Sequence, residues 1–431
     1  MIQSKKLLIT LALAALMVVT WLAVITQAPR SAAKQADLMQ DAEKFVANEI
    51  YVKALPLLKE AAEIKTKNTE AVQKQLYLCY MALDDSQNAI NLFQAMVDNS
   101  TADAEVYLSL AKEKRNRSDF KASIALLEEG ISKFDAPELK DEYEAMRYQY
   151  SRKYNGYDEM SAFYNGYAVA MLEGKYGVVS ASGEDVFGFK YDKLSVFSEE
   201  GKAYAIDDGT AVIINSNGQR LAVSDNAIED FVAMANGIGA VKYDEAWHFA
   251  DSELRVGKNA YDYIGALNSG LRAVSETGKW FLFNAKNEPV TPAFDEIKID
   301  GRAVAYANER AFARQGEKWI MIDSKGTPVG KAQYDDARPF SDGAAAVKIG
   351  DAWQFVDKNG NVVLTGDFTD AQSFSSGLAA VKVGEKWGFI NEKGAWVINA
   401  EYEAVNSFVN GIGSINENGV WHVYVLKKYE K

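Results

Sequence analysis

The sequence predicts a multidomain α plus β protein with three parts: one N-terminal transmembrane helix, a stack of α-helical hairpins and an all-β array of repeated units. Three observations support this prediction. A run of 20 uncharged residues lies near the N-terminus, apolar residues recur at spacings of three and four in the middle, and aromatic residues recur about every 34 residues afterwards. The predicted boundaries are 1–34, 35–155 and 156–431.

The N-terminal segment, 1–34, contains the uncharged run from Leu7 to Thr26. At about 1.5 Å per residue, a helix of this length crosses a hydrocarbon core of roughly 30 Å. Lys5 and Lys6 precede the run and favour a cytoplasmic N-terminus, with the bulk of the chain outside the cytoplasm. We therefore expect a single-pass cytoplasmic-membrane protein anchored through residues 7–26. Cleavage after the small residues at 31–33 is the alternative, and it would give a secreted product.

The middle segment, 35–155, has the composition and apolar spacing of paired helices. One apolar ladder begins at Ala54, Ala89 and Ser123, at offsets of 35 and 34 residues. This period, together with the entries Tyr51-x-x-Ala54 and Phe120-x-x-Ser123, resembles the tetratricopeptide repeat over about three units. The resemblance implies a concave groove that binds peptides or partner helices, and a generic stack of helical hairpins is the alternative.

The remaining residues, 156–431, repeat the stretch Lys386-Trp387-Gly388-Phe389-Ile390 in altered copies. Within a unit, a strand that begins at the repeated aromatic residue runs into a turn such as Asp357-Lys358-Asn359-Gly360. An Asp or Asn that opens such a turn can bond its own backbone, and Gly supplies the positive φ. A third strand precedes the next aromatic residue. Each unit is therefore predicted to be a short three-stranded antiparallel meander.

One aromatic position is shared by seven of the units, and we call it position one. Its members are Tyr176, Trp247, Trp280, Trp319, Trp353, Trp387 and Trp421, with Ala211 at the same place in one further unit. The spacings are close to 34 residues except for 39 after Trp280, which indicates an insertion near 298–303. These side chains are predicted either to fill the core of each unit or to form a row of exposed binding aromatics.

The motif from Lys386 to Ile390, followed by Gly394, Tyr402 and Gly411, resembles the bacterial WG-repeat family. The resemblance covers 157–431 and implies a binding or spacer role without a shared enzyme activity. The chain starts and ends this array in mid-unit. The two partial units are predicted to cap an open curved solenoid, which the short repeat favours, or to pair and close a propeller-like ring.

Charge and residue usage exclude several classes of function. Residues 156–431 carry 27 Lys and Arg against 39 Asp and Glu, and such an acidic body repels nucleic acid. The single Cys79 allows no intrachain disulfide and no thiolate zinc site. His248 and His422, the only His residues, are expected at the surface or a strand edge. No phosphate-binding or nucleophile motif is present, so we expect no enzyme activity, no cofactor and no metal.

The sequence therefore predicts a non-enzymatic, membrane-anchored extracytoplasmic repeat protein that acts as a protein-binding scaffold. The helical region, 35–155, is expected to bind a protein partner, and the β-array is expected to present a second surface for a glycan or a peptide. The alternative is a cell-envelope polysaccharide-binding module that uses the aromatic residues at position one.

Overall fold

The structure, a computed structural model, describes residues 30–66, 68–153 and 156–430. The chain forms two compact units, the first ending at Arg147 and the second beginning at Tyr148. The predicted boundary between 155 and 156 lies later than the observed one. The reason is that Tyr150–Arg152 already form a strand of the second unit.

The helical unit contains seven helices within the described residues. In chain order they are α1 (30–46), α2 (Tyr51–Glu63), α3 (Thr69–Ala82), α4 (Ser86–Asp98), α5 (Ala104–Asn116), α6 (Phe120–Lys133) and α7 (Pro137–Met146). Each helix from α2 onward packs on the next one along the chain, as in a stack of hairpins. This arrangement is consistent with the predicted tetratricopeptide-like region.

Sequence features set the ends and the packing of these helices. Asp85, Asp103 and Asp119 accept hydrogen bonds from backbone N–H groups in the first turns of α4, α5 and α6. The predicted ladder residues Ala54, Ala89 and Ser123 are fully buried. Small side chains at these positions let neighbouring helices approach closely. The ladder therefore marks the face through which α2, α4 and α6 each pack against their neighbours.

The transmembrane part of the predicted fold class requires correction. Within 30–66, 68–153 and 156–430, no helix is long and apolar enough to cross a membrane. The predicted transmembrane helix, 7–26, lies outside the described residues. We correct the fold class to a helical unit followed by a β unit, and the single-pass membrane location derived from that helix is not supported.

The second unit consists of short antiparallel strands. They are β1 (Tyr150–Arg152), β2 (Glu159–Met160), β3 (Tyr167–Leu172), β4 (Lys175–Ser180), β5 (Lys193–Leu194), β6 (Lys202–Asp207), β7 (Thr210–Asn215), β8 (Arg220–Val223), β9 (Ile228–Ala235), β10 (Ile238–Tyr243), β11 (Ala246–Asp251), β12 (Tyr263–Ile264), β13 (Leu271–Glu276), β14 (Lys279–Asn284), β15 (Glu296–Ile297), β16 (Ala311–Gln315), β17 (Lys318–Ile322), β18 (Asp336–Ala337), β19 (Ala344–Ile349), β20 (Ala352–Asp357), β21 (Val362–Phe368), β22 (Asp370–Ala371), β23 (Leu378–Val383), β24 (Lys386–Asn391), β25 (Trp396–Tyr402), β26 (Ala404–Val409), β27 (Ile412–Glu417) and β28 (Val420–Leu426). A 3-10 helix, Lys427–Tyr429, follows.

These strands form eight small sheets, which we call blades 1 to 8. The blades are β2–β4, β5–β8, β9–β11, β12–β14, β15–β17, β18–β21, β22–β25, and β26–β28 with β1. Blades 2, 6, 7 and 8 have four strands, so the predicted three strands per unit are not general. The segments that connect successive units also contribute the short innermost strands of the blades, such as Asp336–Ala337.

The array is a closed ring, and the prediction of an open solenoid is wrong. Eight apolar clusters each join two successive blades, and one of them joins the last blade to the first through Val423, Ile412, Phe163 and Met160. In addition, β1 pairs with β28 and completes blade 8 from the beginning of the unit. Blade 8 is therefore built from both ends of the β unit, with β1 from its beginning and β26–β28 from its end.

The predicted turn chemistry is present in the blades. The side-chain oxygen of Asp323 accepts hydrogen bonds from the backbone of residues 325 and 327, and Asp357 repeats this pattern. Gly326 and Gly360 follow with φ of 79° and 85°. The Asx residue and the Gly therefore fix the turn, which explains why both recur in the sequence.

A second recurring contact explains the Lys that precedes position one. Lys279 lies 2.8 Å from the carboxylate of Asp295, whose other oxygen accepts a hydrogen bond from the Gly316 N–H in the next blade. Lys175 and Asp192 form the same pair at 2.6 Å, and Lys318 pairs with Asp335. Each such Asp therefore connects the Lys that precedes position one in one blade to a hairpin of the next blade.

These contacts predict a pH dependence of stability. The Lys partners, and then the Gly N–H groups, hold the pKa values of Asp192, Asp295 and Asp335 below the usual range. A carboxyl group whose pKa is lower in the folded state stabilises the fold above its unfolded pKa of about 3.9, and this contribution is lost as the pH falls. We expect the melting temperature of the ring to fall below about pH 4. Thermal unfolding from pH 7 to 3 checks this, and the Asp295→Asn/Asp335→Asn variant should show a shallower fall.

Candidate functional site

The position-one aromatics lie one per blade around the ring and do not meet in one site. Trp247, Trp319 and Trp353 are buried, whereas Tyr176, Trp280, Trp387 and Trp421 are half-buried. Each one packs in the apolar cluster between its own blade and the next. Their contribution to stability and to binding remains a prediction.

Cations lie over three of these Trp rings, and two of these cations, Arg338 and Lys298, belong to the inner wall of the ring. The Arg338 guanidinium lies 4.4 Å from the ring centroid of Trp353 in the same blade. The Lys298 ammonium lies 4.9 Å from the Trp319 ring, and the Lys382 ammonium lies 6.0 Å from Trp387. Such cation–π contacts add about 0.5–1 kcal/mol each at exposed sites and more when they are desolvated. The Trp faces therefore connect the blade cores to the inner wall.

The innermost strands of the blades surround a cavity of about 1050 Å³. One wall position lies two or three residues after the start of each innermost strand, and it differs chemically between blades. It is occupied by Ser161, Ser195, Lys298, Arg338, Gln372 and Asn406 in blades 1, 2, 5, 6, 7 and 8. Phe231 and Tyr263 supply aromatic surface in blades 3 and 4. The cavity is therefore polar on one side and aromatic on the other.

Many of these wall residues bond the next blade. Arg338 contacts Asp336 in its own blade at 3.3 Å and Asp370 in blade 7 at 3.0 Å. Lys298 lies 2.7 Å from Asp336, and Asn406 donates to the Met160 carbonyl of blade 1 at 2.9 Å. Burial opposes ionisation of Asp336, but Lys298, the Ala337 N–H and Arg338 together outweigh it and hold the pKa of that carboxyl below its usual range. These contacts join the wall between blades 5 and 6, between blades 6 and 7 and, at the closure of the ring, between blades 8 and 1.

The predicted insertion near 298–303 forms a loop at this cavity. Ala303 accepts a hydrogen bond from the Ala266 backbone in blade 4 at 2.8 Å. The Arg302 side chain donates from Nε and Nη2 to one carboxylate oxygen of Asp300, Oδ2, at 3.1 and 2.9 Å, and its guanidinium lies 5.7 Å from the ring centroid of Tyr164 in blade 1. Because blades 1 and 5 are opposite in a ring of eight, this loop extends across the cavity.

Three polar residues are more buried than the sequence predicts. His248 and His422 are each only 8% exposed, which corrects the expected surface position, although His248 does lie in β11, an edge strand of blade 3. The His248 ring nitrogen Nδ1 lies 3.0 Å from the Gly257 carbonyl, because the chain that follows β11 turns back and covers this side of the strand. Arg272 is 1% exposed, its Nε has no hydrogen-bond partner within the described residues, and burial lowers its pKa to about 10.

The helical unit offers a second candidate site on α3 and α5. Lys74 of α3 lies 2.9 Å from Glu105 of α5, so these helices present one common face. Leu78 on α3 is 51% exposed on its helix, and Leu108 of α5 is half-buried. Exposed charged residues such as Lys112 accompany these apolar side chains. This face therefore combines apolar and charged groups.

The fold and the repeated contacts define the β unit as a closed ring of Trp-centred repeats. The model of the WG containing repeat family matches residues 156–176, 321–353, 355–387 and 387–421. The C-terminal region of this chain therefore contains WG repeats. The matches omit 177–320, where Ala211 replaces the aromatic residue and the inserted loop interrupts the period.

No curated protein sequence matches the chain. Among solved structures, it is similar to the WD40 domain of SCAP from fission yeast, with 7% identity over 66% of this chain and 96% of that chain and a TM-score of 0.41. Hsv2p of Kluyveromyces lactis gives 9% identity, 54% and 92% coverage, and a TM-score of 0.37. PorZ, a surface component of the type-IX secretion system of Porphyromonas gingivalis, gives 11% identity, 62% and 42% coverage, and a TM-score of 0.35. These likenesses carry no argument about what this chain binds.

Sequence reasoning did not identify the wall residues of the cavity. A signal for them exists in the repeats, because Lys298, Arg338, Gln372 and Asn406 occupy one repeat position that is polar but never the same residue. The residue before this position is apolar in all four units, as Ile297, Ala337, Ala371 and Val405. A repeat position that changes chemistry while its neighbours do not is typical of a surface that the fold itself does not dictate.

Proposed function

We propose that this chain is a non-catalytic repeat protein that acts as a protein-binding scaffold, with the helical unit as the docking site. The observation that carries the proposal is the common face of α3 and α5, on which Leu78 is half exposed among charged side chains. An apolar anchor within a charged face suits an amphipathic segment of a partner protein. The described residues contain no group of three His, Cys, Asp or Glu side chains that could hold a metal.

A polysaccharide-binding row of position-one aromatics receives less support. Trp247, Trp319 and Trp353 are between 3% and 9% exposed, and the cations of the inner wall cover two of these rings. A sugar ring stacks on an aromatic face only when that face is accessible. We therefore assign the scaffold role to the helical face rather than to these Trp residues.

The test is affinity purification of the tagged full-length chain from its own cells, followed by direct binding of each recovered protein. Leu78→Glu places a charge on the proposed anchor. Val52→Glu is the matched control, because Val52 is 70% exposed on the second helix of another hairpin. We expect the control to retain the partner and Leu78→Glu to weaken it by about tenfold or more. Equal binding of a partner to both variants would contradict the proposal.

A further inference from the structure

The cavity inside the ring is a second candidate binding site, which the scaffold role of the helical unit does not use. Its volume, about 1050 Å³, lies at the upper end of the range for ligand pockets, which is about 300–1,000 Å³. All eight blades border this cavity, so its shape is set by the whole ring. The question is which class of ligand the unused groups of its wall can bind.

The charged groups of the wall are already neutralised. Arg338 is paired with Asp336 and Asp370, and Lys298 with Asp336. Arg302 is paired with Asp300 at 2.9 Å. A charged ligand would have to replace one of these partners and leave a carboxylate or a cation without its pair, which is costly in a partly buried site. The wall therefore disfavours an ionic ligand.

The groups that remain unused are neutral. In the part of the chain that the structure describes, the hydroxyls of Ser341 and Ser375 make no hydrogen bond, and the Oδ1 atom of Asn406 accepts none. These residues belong to the consecutive blades 6, 7 and 8 and line the cavity together. They provide both donors and acceptors, which a ligand with many hydroxyl groups can satisfy.

Aromatic surface faces this polar wall across the ring. Phe231 lies in blade 3 and Tyr263 in blade 4, which are opposite blades 7 and 8 in a ring of eight. Phe231 and Tyr263 are both half-buried and line the cavity with the surface that stays accessible, while Tyr263 also packs against Trp247 and Trp280 with ring centroids 5.3 and 5.5 Å away. The Tyr263 hydroxyl is a neutral donor at physiological pH, as in any Tyr with a pKa of about 10, and burial raises its pKa further, to about 12. Apolar aromatic faces suit the C–H face of a sugar ring.

We propose that the cavity of the ring binds a neutral oligosaccharide, with Ser341, Ser375 and Asn406 on its hydroxyl groups and Phe231 and Tyr263 on its C–H faces. This site is independent of the helical face and uses none of the position-one Trp rings as a stacking platform. Neutral hydroxyls and aromatic faces on opposite walls, with the ion pairs already formed, are the features that select this ligand class.

The test is isothermal titration calorimetry of the full-length protein with maltohexaose, cellohexaose and chitohexaose, and with hexagalacturonate as the charged counterpart. We expect at least one neutral hexasaccharide to bind and hexagalacturonate to bind at least tenfold more weakly. The Ser341→Ala/Ser375→Ala variant removes two unused hydroxyls without touching a bond of the fold, and it should weaken binding by about tenfold or more. Ser216→Ala, in an exposed turn on the ring, is the matched control and should bind like the unaltered protein.

Each other outcome overturns the proposal. Binding that survives the double serine variant would place the sugar elsewhere. Preference for hexagalacturonate would show that an ion pair of the wall is displaced. The cavity is not a site for neutral glycans if none of the three neutral hexasaccharides binds at millimolar concentration. This conclusion requires that the Ser341→Ala/Ser375→Ala and Ser216→Ala variants keep the melting temperature of the unaltered protein. A polyalanine-based peptide that binds in their place would assign the cavity to a polypeptide.

Discussion

Replacing Trp353 by Ala is expected to lower the free energy of unfolding of the β unit by about 3–5 kcal/mol. Trp353 is 3% exposed and packs between blades 6 and 7 against Phe374 and Ile390. Its loss removes this apolar burial, leaves a cavity between the blades, and uncovers the Arg338 guanidinium that lies over the ring. Thermal and denaturant unfolding of the full-length chain measures the change.

The same loss is expected for Trp319→Ala, because Trp319 fills the equivalent space between blades 5 and 6. Trp396→Ala is the control, since Trp396 lies outside position one and is 44% exposed. That change should cost distinctly less, near the range of about 0.5 kcal/mol for surface substitutions. If Trp353→Ala and Trp396→Ala had equal and small effects, the position-one residues would not be core, and a binding role for them would regain support.

Replacing Ser151 by Pro is expected to open the ring and cost about 3 kcal/mol. Ser151 lies opposite Val425 in the pairing of β1 with β28. Lys153 N–H donates to the Val423 carbonyl and Lys427 N–H to the Gln149 carbonyl, so the alternation of an antiparallel ladder makes Ser151 a hydrogen-bonded position. Proline removes its donor and leaves the Val425 carbonyl without a partner.

Ser151→Ala is the control for this prediction. It removes only the contact of the Ser151 hydroxyl with Glu430, at 2.9 Å, and keeps the backbone donor. The ion pair of Arg152 with Glu417 at 2.8 Å remains in both variants and limits the damage to the ladder. Equal melting temperatures for the Pro and Ala variants would mean that β1 does not hold the ring closed.

Local repetition explains what the sequence predicts well. The turn at Asp357 and Gly360 and the buried ladder through Ala89 each depend on residues a few positions apart. Such contacts are readable because the same physical requirement recurs in every unit. The repeat period, the helical hairpins and the Trp positions therefore followed from the sequence.

Contacts between distant parts of the chain explain what the sequence does not predict. The choice between an open and a closed array depends on the pairing of Tyr150–Arg152 with Tyr424–Leu426, which no local pattern announces. The wall of the cavity likewise combines side chains such as Ser341 and Asn406 that meet only in the ring. Arg272 departs from the repeat pattern, because blades 6 and 7 carry Ala at the equivalent position. The burial of Arg272 depends on Phe249 of the neighbouring blade, which no local pattern predicts.

The distance between blades 1 and 8 in solution tests the closed ring most directly. Glu173, Glu385 and Asn418 are exposed in equivalent hairpins of blades 1, 7 and 8. Spin labels on introduced Cys residues, in a background with the buried Cys79 replaced by Ser, report the separation of two hairpins by double electron–electron resonance. The closed ring predicts similar distances for 173 to 418 and for 385 to 418, since both pairs lie in neighbouring blades. A much longer distance for 173 to 418 would contradict the closed ring and restore the open solenoid.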